Sequence, residues 1–123
     1  MALAYDMMKG GVSAFQAKGI NGTANVTVTA GTTQTQAGAT ALTASTNVVT
    51  TVTTSGDGVI IPNGEIGDSV AILNIGANPC TVYPPVGGRI NQLATNSGFT
   101  LATNTAVWLE KFSATRWMGF LSA

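Results

Sequence analysis

A chain of 123 residues is long enough for one domain with a real core and too short for two. Charged residues make up 8% of it against a usual level of about 25%, while apolar residues, at 45%, are near normal. The net charge is zero and Lys9, Lys18, Arg89, Lys111 and Arg116 are scattered, which argues against a nucleic-acid-binding face and points to surface hidden against neighbouring chains.

Residues 1–9, MALAYDMMK, favour a short helix, because Ala, Leu, Met and Lys are good helix formers and Gly10-Gly11 is a natural stop. Leu3, Tyr5, Met7, Met8 and Phe15 are too apolar for a solvated tail. The segment is also too short and too broken by glycine to fold alone. Residues 1–24 are therefore expected to form an N-terminal arm whose apolar side chains bind a partner, and residues 25–123 to form a β domain.

From Asn25 the pattern changes: Asn25–Thr29 alternates apolar and polar as a half-exposed strand should. Ala30–Ala44 is rich in Thr, Ala, Gly and Gln and reads as either an irregular loop or a weak edge strand around Ala39–Thr43. Asn47–Thr54 reads as a clear strand, and Ser55-Gly56-Asp57-Gly58 turns the chain into Val59-Ile60-Ile61. The runs Ser69–Ile75 and Cys80–Tyr83 follow, rich in β-branched and aromatic residues. Pro84-Pro85 and Gly87-Gly88 break the ladder before a brief extended piece at Arg89–Asn91. The last third predicts strands at Gly98–Thr103, Thr105–Phe112 and Thr115–Leu121, with tight connections at Asn104 and Ser113-Ala114 that favour antiparallel hairpins. No helical period follows residue 20. The expected fold is all-β, an antiparallel β-sandwich or small barrel. Its core is expected to be Val59, Ile61, Val70, Ile72, Val82, Leu109, Trp117 and one of Trp108 or Phe112.

Residues for chemistry are scarce. The chain has no histidine, which removes Ser-His-Asp and Cys-His arrangements and the usual zinc sites. Asp57, Glu65 and Asp68 lack the spacing of a calcium loop, and Asp57-Gly58 and Gly67-Asp68 are ordinary turn dipeptides. Cys80 has no partner for an internal disulfide and reads as a small buried hydrophobe. No apolar run approaches the ~18 residues of a membrane span, and the N-terminus lacks the layout of a secretory signal. The triplets at Asn21 and Asn25 carry little weight as glycosylation acceptors without secretion. Trp108 and Trp117 are read as core rather than as a sugar platform. No catalytic, cofactor or metal residue is expected.

Five stretches together carry a resemblance: Thr35–Thr51 (TQAGATALTASTNVVTT), Gly56–Pro62 (GDGVIIP), Gly67–Asn78 (GDSVAILNIGAN), Val82–Asn91 (VYPPVGGRIN) and Trp117–Leu121 (WMGFL). From about Thr35 onward the chain resembles small all-β structural proteins and domains of tailed bacteriophages and prophages. The resemblance implies a virion structural role, as a capsid decoration (cement) protein or a head or tail fibre component, without enzymatic activity. A decoration protein would sit on the capsid surface, assembled in the host cytoplasm, as a homo-oligomer (a trimer by the resemblance) bound to major capsid protein. It would need no membrane, nucleic acid or small-molecule substrate. A fibre component binding host glycans is the alternative, and a small hydrolase is disfavoured by the missing histidine.

Overall fold

The computed structural model describes residues 23–122, which contain ten strands and no helix. The arm residues Leu3, Tyr5, Met7, Met8 and Phe15 lie outside the described residues. The first six strands are β1 (Ala24–Thr29), β2 (Thr40–Ala41), β3 (Thr46–Thr51), β4 (Gly58–Ile60), β5 (Ser69–Asn74) and β6 (Cys80–Tyr83). They are followed by β7 (Arg89–Ile90), β8 (Phe99–Leu101), β9 (Thr105–Lys111) and β10 (Arg116–Leu121). Every strand expected from the sequence is present, with ends within three residues of those expected and Cys80–Tyr83 unchanged. The weak Ala39–Thr43 strand is β2, at an edge of its sheet.

The arrangement of these strands differs from the expected one. Two sheets form, a six-stranded one in the order β1-β3-β5-β9-β10-β7 and a four-stranded one in the order β2-β4-β6-β8. Consecutive strands from β1 to β6 alternate between the two sheets. Each of the first four therefore pairs in parallel with the strand two places on, β1 with β3 and β3 with β5, β2 with β4 and β4 with β6. β7 also pairs in parallel, with β10, so five of the eight pairings are parallel. The fold is a mixed-sheet, solenoid-like coil rather than an antiparallel sandwich or barrel. Parallel neighbours need a crossover of about a dozen residues or more, and here the strand in the opposite sheet supplies it.

β8 and β9 reverse this pattern, pairing antiparallel with β6 and β5. The Asn104 connection between them is thus a corner that switches sheets, not the expected hairpin. Asn104 takes a left-handed φ of 64°, which asparagine tolerates. The hairpin at Ser113-Ala114 forms as expected, joining β9 and β10 in antiparallel register.

Corners stack on corners. The Asn78 amide donates to the Val52 and Thr53 carbonyls at 2.8 and 3.1 Å, and the Thr103 hydroxyl donates to the Gly76 carbonyl at 3.0 Å. Gly31 sits where two passes of the chain nearly touch: a Cβ there would lie 2.1 Å from the Gly38 carbonyl oxygen. At the start of β1 and β3, Thr23 and Ser45 exchange side chain–backbone hydrogen bonds at 3.1 Å in both directions.

One apolar core lies between the sheets. The six-stranded sheet contributes Val49, Val70, Ile72, Val107, Leu109 and Trp117, and the four-stranded sheet Val59, Cys80, Val82 and Leu101. Asn74, fully buried in this layer, is satisfied: its amide donates to the Asn78 and Leu101 carbonyls and its oxygen accepts from the Gly76 N–H at 2.9 Å. Asn47 is less well served, since its amide donates to the Ala44 carbonyl at 2.9 Å but its oxygen finds no donor among the described residues.

Candidate functional site

β9 explains where the aromatic side chains go. Val107, Leu109 and Lys111 point inward and are buried, so by strand alternation Trp108, Glu110 and Phe112 point outward. Trp108 is 50% exposed and Phe112 46% exposed, so neither is the core residue expected; Trp117 alone fills that role, at 1%. The core had no room for a second large ring on β9, because Leu109 and Val107 already occupy the inward positions.

On the neighbouring strand Met118 and Phe120 also face outward, flanking the inward Gly119. The cross-strand register places Phe120 directly beside Trp108, and Trp108 beside Ala71 of β5. The next row is Val48, Leu73 and Ala106. The outer face of the six-stranded sheet thus carries a continuous apolar surface centred on Trp108 and Phe120. Pairs of aromatic residues directly opposed across strands stabilise a sheet, but they also offer a large, dry contact area.

Beside this patch is a shallow groove of about 600 Å³, lined by Asn91, Gln92, Phe112, Arg116 and Met118. The Arg116 guanidinium lies 5.9 Å from the Phe112 ring centroid and donates to the Asn91 carbonyl and the Gln92 side-chain oxygen. Asn91 is held in turn by Gly119, whose N–H donates to its side-chain oxygen at 2.9 Å. The groove wall is therefore ordered by the fold itself.

The remaining polar side chains serve the scaffold. Asp57 is buried in its own turn, accepting from the Thr54 N–H at 3.0 Å and from the Gln34 amide of the preceding coil. Asp68 accepts from the Glu65 N–H at 2.8 Å across a turn. Asp57, Glu65 and Asp68 do not converge, and no group of three His, Cys, Asp or Glu suited to a metal ion occurs among the described residues. Arg89, Lys111 and Arg116, the three described cations, all donate to carbonyl or amide oxygens. Lys111 is nearly buried; its ammonium donates to the Gly64 carbonyl and lies 6.0 Å from the Trp117 ring centroid. Cys80 is fully buried, and burial pushes its thiol up to about 11 against a weaker downward pull from a backbone hydrogen bond. A thiol so placed stays protonated at neutral pH and is a poor nucleophile.

No helix among the described residues is long and apolar enough to cross a membrane. Comparison with protein-family models and with curated proteins found no match. The apolar outer face is thus the feature of the described residues that most needs a function. Its signal in the sequence was the alternation of β9, in which Val107, Leu109 and Lys111 can be buried only by turning Trp108 outward.

Proposed function

We propose that this chain is a structural protein of a tailed-bacteriophage particle, a capsid decoration (cement) protein that binds and stabilises the shell of major capsid protein. The observation that carries this reading is the apolar outer face around Trp108 and Phe120 on a β scaffold poor in charge. Exposed apolar patches of this kind mark contact with other macromolecules. The resemblance of Thr35–Leu121 to phage structural proteins supplies the setting, and a non-enzymatic role agrees with the buried, protonated Cys80 and the absence of histidine from the chain.

In this reading the chain acts as a homo-oligomer, with a trimer preferred, and the arm residues Leu3, Tyr5, Met7, Met8 and Phe15 contact the capsid. Burying each such side chain is worth about 1.5–3 kcal/mol. Deleting residues 1–20 should leave the β domain folded and abolish most of its retention on particles in a sedimentation assay. Undiminished retention of a folded truncation would refute the arm's role. A second reading, a fibre component that binds a host glycan, draws on the groove of Asn91, Gln92, Phe112 and Arg116 beside the exposed Trp108. Copy number separates the two: comparable to that of the major capsid protein for a decoration protein, and a small fraction of it for a fibre.

A further inference from the structure

We infer that the outer face of β9 and β10 is the surface through which two copies of this chain meet. This rests on the assembly reading above and names the contact that reading leaves open. Trp108, Phe112 and Phe120 each leave roughly half their surface exposed. With ~150–250 Å² available per aromatic side chain, the three alone present ~300 Å² of apolar area. Met118 and Leu73, partly exposed on the same face, extend it. A standard interface takes ~800 Å² from each partner, a little over half of it apolar, so this patch supplies most of the apolar share of one side.

Charge favours a second copy as the occupant. The face carries one carboxylate, Glu110, beside Met118, and the Arg116 guanidinium two residues along β10, with Arg89 of β7 in register beside Arg116. Arg116 is engaged by the neutral Asn91 carbonyl and Gln92 side chain, not by Glu110. Glu110 and Arg116 lie on adjacent rows to one side of the Trp108–Phe120 row, so a two-fold axis passing between them sets each carboxylate against the other copy's guanidinium, and a chain of zero net charge sets no long-range repulsion against its own copies. The opposite sheet offers no such surface: its outer positions are Ile60, Thr81, Tyr83 and Thr100, with Tyr83 packed onto the chain's own Gly58 and Gly98.

The test is sedimentation equilibrium of the full chain alongside Trp108→Glu, Phe120→Glu and the control Thr100→Glu on the other sheet, with melting followed for each. The inference expects an oligomer for the parent and the control. Either aromatic variant should dissociate at least tenfold more readily with its melting transition kept at low protein concentration. A monomeric parent, or an oligomer that survives both substitutions in folded protein, would overturn it. Particle binding measured in parallel keeps the two proposals apart. Loss of particle binding by Phe120→Glu with the oligomer intact would assign the face to the capsid and overturn the inference. Dissociation of the aromatic variants in a chain that never binds particles would uphold this contact and reject the decoration role.

Discussion

The two sheets share one core and differ on their outer faces. In the four-stranded sheet the one outward aromatic ring, Tyr83, lies over glycine: a Cβ at Gly58 would fall 2.6 Å from Tyr83 Cε2, and one at Gly98 2.9 Å from Tyr83 Cδ1. The chain covers that ring's neighbourhood itself. In the six-stranded sheet Trp108 and Phe120 stand side by side, exposed by 50% and 59%. An outward aromatic residue is therefore not informative by itself. What distinguishes a contact surface from a packed scaffold is whether the same chain already provides the cover.

The largest expected effects come from breaking what the sheets have in common. Trp117→Ala in the six-stranded sheet should cost about 3–5 kcal/mol and Leu101→Ala in the four-stranded sheet about 2–5 kcal/mol, measured by denaturant unfolding. Similar losses on both sides would establish a single core; a negligible loss at Leu101 would show the smaller sheet to be peripheral.

Cys80 provides a pH-dependent probe of the four-stranded sheet. Its thiol is raised from 9.0 to about 11 in the folded protein by burial. The folded state keeps the proton after the unfolded chain has lost it, so this stabilisation is full below pH 9 and fades as pH rises from 9 toward 11. The loss is about 2–3 kcal/mol. Unfolding free energies of the parent and Cys80→Ala should converge or cross over that window, and parallel pH profiles would show the thiol to be accessible.

Gly58→Ala tests the cover over the smaller sheet. The added methyl must displace the Tyr83 ring or the strand, at about 1–3 kcal/mol. An unchanged midpoint would mean that the ring is not held there. Smallest is the effect of Trp108→Ala on the isolated chain at concentrations too dilute for association, about 0.5–1 kcal/mol from the lost cross-strand pairing with Phe120. Tyr83→Ala should cost clearly more. Equal costs would erase the contrast between the two outer faces.

The strands themselves were legible in the sequence. Alternation at Asn25–Thr29 and β-branched runs at Ser69–Ile75 and Cys80–Tyr83 locate β1, β5 and β6 because strand propensity and side-chain period are local properties. Buried Ile61, Ile72, Val82, Leu109 and Trp117 followed from the same pattern. The pairing did not. Whether two strands run parallel depends on partners some twenty residues away, as in the Asn25–Asn47 and Asn47–Ile72 registers, and hairpin rules see only adjacent strands. The similarity of Thr23–Thr29 (TANVTVT) to Ser45–Thr51 (STNVVTT) was the available trace of the coil, and the structure sets these segments side by side.

The candidate site divides in the same way. Composition determined that this chain has little charge with which to solvate its surface and no histidine for catalysis, since those are properties of residue counts. That Trp117 is buried while Trp108 is exposed was decided only by tertiary structure. Both are equally apolar and both lie in strands, but one inward position of β10 faces the core and the outward position of β9 faces away from it. The buried Asn74 mixes the two, for its burial is tolerable because Gly76 and Asn78 of its own turn and the distant Leu101 carbonyl, which only the tertiary fold brings in, together satisfy its amide.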